Sequence, residues 1–143
     1  MTSAAVIGLS PHYATVILTA VGNWLVLMWM ALKVGSARKE HGIKYPLLYE
    51  NVVTSKFDLV QRAHQNSLEW NTSFLCRLFL FIGGLSLPLS CAAAGTVYNA
   101  GRYFYAKGYY GGNPHKGLWG LYGLFYLIGA TVFTAYKTFT TGV

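Results

Sequence analysis

Residues 60–70 read VQRAHQNSLEW, and in this stretch Arg62, Asn66 and Glu69 stand at positions i, i+4 and i+7. At 100° per residue they share one helix face about 60° wide. The stripe lies in apolar surroundings: from about Phe57 to Leu85 most side chains are hydrophobic, yet Asp58, Arg62, His64, Asn66, Glu69 and Arg77 interrupt them. A charge at the centre of a bilayer costs about 2.5 to 3.5 kcal/mol on insertion scales, so each such residue needs a partner or a task. The segment is therefore read as a membrane span whose polar face meets other protein or a ligand rather than lipid.

Outward from this stretch the composition supports the same class. Of 143 residues, 54% are hydrophobic and 10% charged, against about 25% charged in a soluble domain, which excludes a disordered chain and argues against a water-soluble globule. The run from about Tyr13 to Val34 is long enough to cross a hydrocarbon core needing about 20 apolar residues. The opening MTSAAVIGLSPHY lacks the basic start and small-residue cleavage site of a signal peptide, so it is expected to remain in the mature protein. A polar loop with Pro46 at its middle closes near Lys56, and Gly83, Gly84 and Pro88 are read as a short turn after the second span. A third span follows at about 89–110 and a fourth at about 117–136. The expectation is an all-α membrane protein, one domain over 1–143, built as a four-transmembrane-helix bundle with no internal repeat.

The formal charge of +7 could point to nucleic acid, but the cations fall in loops between apolar runs. Loops one and three carry Lys33, Arg38, Lys39, Lys44, Lys56, Lys107 and Lys116, while the opposite face has Lys137. The positive-inside rule places those two loops on the cytoplasmic side, and the endoplasmic reticulum or mitochondrial outer membrane is the expected location. No nucleic-acid partner is read. Cys76 and Cys91 lie in apolar runs without CxxC spacing and are read as buried thiols. The four histidines share no ligand spacing, so no metal site is read. Trp24, Trp29, Trp119 and Phe125 are read as lipid-facing anchors before any part in a lipid's path to a site.

The third span carries a second stripe, since Tyr98, Arg102, Tyr105 and Tyr109 follow i, i+4, i+7 and i+11. Polar residues can simply join helices in a membrane. Three features favour a ligand instead: the charges lie near the cytoplasmic ends of both helices, both signs are present, and tyrosines add hydroxyl donors beside aromatic surface. A small zwitterionic anion suits the set. Arg62 and Arg38 would take carboxylates with their planar forks, Glu69 an ammonium and Asn66 an amide, with Arg102 and the tyrosines opposite.

RAHQNSLE at 62–69, the run Ser36-Ala37-Arg38-Lys39 and GRYFYAKGYY at 101–110 together resemble the MAPEG family, membrane-associated proteins of eicosanoid and glutathione metabolism. Within it they are most similar to the type 3 microsomal glutathione transferases. The resemblance covers nearly the whole chain and implies a four-helix bundle assembled as a homotrimer, with glutathione as co-substrate between neighbouring subunits near the cytosolic surface. It implies glutathione contacts at Arg62, His64, Asn66 and Glu69 on the second helix and at Tyr105 and Tyr109 on the third. Arg38 would reach the tripeptide of a neighbouring subunit.

Some positions depart from the family pattern. Seven residues beyond Tyr109, where the leukotriene-conjugating member has a thiolate-holding arginine, stands Lys116, so the charge remains without the fork. The tyrosine after the family glutamate is Trp70, the proline two positions later is Thr72, and Arg77 lies deep in the second span and needs an acidic or phosphate partner outside its own subunit. The implied function is a glutathione transferase and peroxidase in which Tyr109 and Lys116 stabilise the thiolate for attack on a lipophilic electrophile or lipid hydroperoxide. The alternative is a non-catalytic relative that presents lipids or serves as a structural subunit of a larger membrane complex. A channel or transporter is the weakest reading, because no two spans are broken at matching positions.

Overall fold

The computed structural model describes residues 9–50, 52–53, 55–75 and 78–141, with side chains given for all of these except 73–75 and 78–79. Arg77 and Cys76 lie outside the described residues. The chain forms α1 (Tyr13–Glu40), α2 (Lys56–Leu75), α3 (Leu78–Ser86), α4 (Pro88–Tyr110) and α5 (Leu121–Thr141), with a 3₁₀ turn at Leu118–Gly120 leading into α5. Among the described residues there is no strand. The helices of 28 residues at Tyr13–Glu40 and 24 at Leu118–Thr141 are long and apolar enough to cross a membrane. Asp58, Arg62 and Glu69 remove α2 from that class. The expected second span corresponds to α2 together with α3, and the third to α4.

α1 packs against α2 and α4, and α5 packs against α3 and α4. One core gathers Val16, Leu80, Cys91, Tyr98, Leu124 and Leu127 at one end of the bundle. A smaller one joins Met30, Ala63 and Ala106 at the other. Between them, Asn23 donates from Nδ2 to Asn99 Oδ1 at 2.9 Å, and Asn99 Nδ2 donates to the Thr19 carbonyl at 3.0 Å. These amides tie α1 to α4 where water cannot compete. Outside, the pattern of a soluble protein is inverted: Leu18, Leu32, Phe125 and Val132 are each at least 59% exposed. Trp24 and Trp119 also face outward. Trp29 instead stacks on Tyr103, with ring centroids 4.9 Å apart.

Gly83 and Gly84, expected with Pro88 to mark a turn, lie inside α3, and Leu87 alone separates α3 from α4. Their work is packing. A Cβ on Gly83 would come 3.0 Å from Ala130 Cβ and one on Gly84 would come 2.9 Å from Val16 Cγ2, so both glycines let neighbouring helices approach α3. Pro88 sits in the first turn of α4, where its missing N–H is no loss.

A very close approach joins loop three to α4. Gly117, at φ +89°, adopts the left-handed conformation that favours glycine, and a Cβ there would meet the Gly101 carbonyl at 2.2 Å. A Cβ on Gly101 would sit 2.4 Å from Gly120 Cα. Backbone meets backbone here, so no flexible side chain can give way. Gly101→Ala is expected to destabilise the protein by about 1 to 3 kcal/mol, read as a lower melting temperature in detergent. Gly35→Ala, with no atom within 4 Å of the new methyl, is expected to leave it unchanged or slightly raised.

Candidate functional site

The two stripes face each other. On α2, Arg62 Nη1 lies 2.9 Å from Glu69 Oε1, with side chains 43% and 49% exposed. The two long side chains span the two turns between them, with Asn66 midway along the same stripe. On α4, Arg102 is 5% exposed and donates from Nη2 to Asn66 Oδ1 at 2.9 Å and to Ser67 Oγ at 2.7 Å. Its guanidinium carbon also lies 4.1 Å from the centre of the Tyr105 ring. Tyr105 in turn packs on Tyr109, ring centroids 5.3 Å apart. Arg62 lies within electrostatic range of both tyrosines.

The arrangement has an inner and an outer layer. Arg102 is buried against neutral acceptors, so its charge is spread over charge-assisted hydrogen bonds and an aromatic face rather than cancelled by a carboxylate. The Arg62–Glu69 pair is half open to solvent and so able to exchange partners. Two guanidinium groups against one carboxylate leave a net positive charge on this face. A ligand with more than one carboxylate and a single ammonium complements it.

Loop one folds over the start of α2. Tyr49 Oη donates to Gln65 Oε1, and the Glu50 N–H donates to Asp58 Oδ1 at 2.7 Å. Loop three folds back on the end of α4, where the Asn113 and Gly111 N–H groups donate to the Gly108 carbonyl at 2.9 and 3.0 Å. Gly108 permits this, since a Cβ there would meet Lys116 Cβ at 2.4 Å. Lys116 is thus set beside α4 against Gly108, the residue before Tyr109, exposed, with no ion pair for its ammonium among the described residues.

Of the residues expected from sequence, Arg62, Asn66, Glu69, Arg102, Tyr105 and Tyr109 come together. Tyr98, on the same stripe, is fully buried and belongs to the apolar core. His64 is half-buried about 200° around α2 from Arg62 and joins none of these contacts. Arg38 meets the rings of Tyr45 and Phe57 within its own chain. Thr72 donates to the Leu68 carbonyl at 3.3 Å, and α2 runs on to Leu75 past the position of the absent proline. The sequence reading missed Ser67, which binds Arg102, and Gln65, which holds loop one. The i, i+4 pair of small residues Ala63 and Ser67, both fully buried, was the available sign that this side of α2 packs closely.

Two comparisons bear on this geometry. A protein of Synechocystis sp. (strain ATCC 27184 / PCC 6803 / Kazusa) bearing the name Uncharacterized protein sll1147 is 35% identical over 94 residues, covering 66% of this chain and 65% of that relative. The chain thus matches about two thirds of the relative's length. The MAPEG family profile matches residues 16–136, a range that holds both stripes and the loops closing over them. With polar faces of α2 and α4 joined through Arg102 inside an apolar helical bundle, and that match running from α1 to α5, the chain belongs to the MAPEG family of membrane proteins.

Proposed function

We propose that this protein is a glutathione-dependent membrane transferase and peroxidase, acting on lipophilic electrophiles or lipid hydroperoxides. The observation that supports it best is the exchangeable Arg62–Glu69 pair set beside Arg102, Asn66, Tyr105 and Tyr109 on facing helices. The MAPEG family includes glutathione-dependent transferases and peroxidases. On this reading Glu69 leaves Arg62 to take the ammonium of glutathione, Arg62 takes a carboxylate, and Asn66 binds an amide of the tripeptide. Arg102 stays inside as a positioning residue that holds Asn66 and Tyr105.

The thiolate, not the thiol, is the nucleophile, and an ordinary thiol is mostly protonated at pH 7. Raising its thiolate-to-thiol ratio a hundredfold, a fall of about 2 pKa units, takes about 2.7 kcal/mol of selective anion stabilisation. Tyr109 supplies a hydroxyl donor and Lys116 a cation for that purpose. In transfer, the sulfur forms a bond to the electrophilic carbon while that carbon releases its leaving group with the bonding pair, or, in addition to an activated double bond, the π bond breaks and the resulting carbanion takes a proton from water. In peroxide reduction, two glutathione molecules give two electrons and become a disulfide, while the hydroperoxide becomes an alcohol and water. The protein forms no covalent intermediate. Loops one and three lie on the cytoplasmic side, where glutathione arrives from solution and the second substrate from the bilayer.

A homotrimer follows from the half-exposed α2 stripe, which one small bundle leaves uncovered and lipid cannot satisfy. Crosslinking in mild detergent should give three subunits, and the purified assembly should bind glutathione and turn over an aromatic electrophile or a lipid hydroperoxide. A monomer without glutathione binding would refute the reading. The exposed Lys116, which has no ion pair among the described residues, favours a second one, a family member that presents lipid or serves in a larger complex without chemistry of its own. Glutathione binding without any turnover would select it.

A further inference from the structure

Gly22 stands in the interior of α1, where glycine weakens a helix relative to alanine, yet no neighbour requires it: a Cβ there would come 3.7 Å from Asn99 Nδ2, an ordinary contact. Its missing side chain deepens a groove of about 440 Å³ between α1 and α4, lined by Leu18, Gly22 and Val26 on one side and Ala100, Tyr103 and Phe104 on the other. Leu18 and Phe104 are 68% and 49% exposed. The polar side chains in the groove are already engaged. Thr19 and Thr96 donate to the Thr15 and Ala92 carbonyls at 2.8 Å each, and Asn99 accepts from Asn23 and donates to the Thr19 carbonyl. The groove therefore offers mainly hydrocarbon surface to an occupant.

Both walls lead to a lysine. Leu18, Gly22, Val26, Trp29 and Lys33 stand at i, i+4, i+8, i+11 and i+15, on one face of α1 about 80° wide. Thr96, Ala100, Tyr103 and Lys107 stand at i, i+4, i+7 and i+11, on one face of α4 about 60° wide. Trp29 stacks on Tyr103, and Lys107 Nζ lies 5.8 Å from the Tyr103 ring centre, so the two faces meet just below the lysines. Lys33 and Lys107 are exposed and neither is in an ion pair among the described residues. α4 carries no acidic residue and α1 none before Glu40. Eleven residues of helix separate Gly22 from Lys33, about 16 Å, which matches the half-thickness of a bilayer's hydrocarbon core, about 15 Å. The rule that basic residues gather at one end of the spans does not ask them to flank a groove. A basic site between transmembrane helices suits an anionic headgroup, and the apolar groove beneath it suits a chain.

We propose that this groove binds one acyl chain of an anionic phospholipid whose headgroup is held by Lys33 and Lys107. Arg102, Tyr105 and Tyr109 lie about half a turn around α4 from this face, so the lipid site is separate from the candidate glutathione site and does not depend on that reading. It needs α1 to span the membrane.

Native mass spectrometry of the full chain purified in detergent tests it, with phosphatidylglycerol and phosphatidylcholine of identical chains titrated separately. Phosphatidylglycerol is expected to bind at least tenfold more tightly, and the Lys33→Gln/Lys107→Gln variant is expected to bring it to the level of phosphatidylcholine. Gly22→Leu, which fills the groove and leaves both lysines, is expected to weaken phosphatidylglycerol binding at least tenfold. Gly129→Leu on α5, with no atom within 4 Å of its new Cβ, is expected to leave it unchanged. Millimolar glycerol phosphate, a headgroup without chains, is expected not to compete. Equal binding of the two lipids by the unmodified protein would overturn the proposal, as would a preference that survives the lysine double variant. Full competition by glycerol phosphate would also overturn it, by making the lysines a free-anion site. A folded Gly22→Leu protein that binds phosphatidylglycerol undiminished would place the chain elsewhere and defeat the proposal. If that variant instead changes the number of subunits in the assembly, the groove is an interface between copies and the proposal fails. Should Gly22→Leu not fold, the lysine variant, altered only at exposed positions, decides by itself.

Discussion

Arg62→Ala and Glu69→Ala are each expected to weaken glutathione binding by more than tenfold without unfolding the protein. The pair they form is 43% and 49% exposed, and a solvated ion pair contributes at most about 1 kcal/mol to stability. Neither residue lies in either apolar core. Loss of binding in a folded variant therefore reports on the ligand. Each side chain is assigned one charge-assisted hydrogen bond to glutathione, worth about 1.5 to 3 kcal/mol, and 1.4 kcal/mol is a factor of ten in affinity. Removing one partner also leaves a charge on the ligand that is shielded from water and unpaired, which adds to the loss. Isothermal titration on the detergent-solubilised protein measures this, with circular dichroism as the check on folding. Unchanged affinity in both folded variants would return the stripe to a role in joining helices.

The Lys116 series is expected to have the largest effect on chemistry. Lys116→Ala should abolish the ultraviolet thiolate absorbance of bound glutathione, Lys116→Arg should restore or exceed it, and Tyr109→Phe should reduce it in part. The backbone at Lys116 is placed by the fold of loop three against Gly108, but its ammonium is exposed on a flexible stem. Ordering that stem over a bound thiolate costs side-chain entropy of up to about 2 kcal/mol, and a point charge lacks the two-pronged grip of a guanidinium. Activation by lysine is thus weaker than arginine would give. If the unmodified protein binds glutathione without a thiolate signal at pH 7 while Lys116→Arg produces one, the chain is a family member that has lost its chemistry. If neither binds glutathione, the scaffolding reading prevails.

The helical class, the two stripes and the membership of Arg62, Asn66, Glu69, Arg102, Tyr105 and Tyr109 in them were legible in the sequence, because a 3.6-residue period converts spacing directly into a shared face. Periodicity says which residues share a face but not how deep that face lies. Tyr98 and Tyr109 obey the same period, yet the first is sealed in the core against Leu124 and the second borders the open site. The glycines misled for a related reason. A Gly-Gly pair near a proline reads locally as a turn, whereas Gly83 and Gly84 are needed for close approach of α5 and α1, contacts remote in sequence.

What the sequence determined by itself is therefore local and periodic: apolar helices, a basic face at loops one and three, and polar stripes that must turn away from lipid. The tertiary structure decided which charges keep their ligands and which are free to change them. Arg102 and Arg62 are the same residue type on facing stripes, but the packing of α4 on α2 buries the first against Asn66 and Ser67 and leaves the second paired in half-open solvent. It also stacked Arg38 between Tyr45 and Phe57, rings that loop one and the start of α2 bring together only in the folded chain. The physical reason is that burial and partner choice depend on atoms far apart along the chain, and their cost is set by the desolvation that packing imposes.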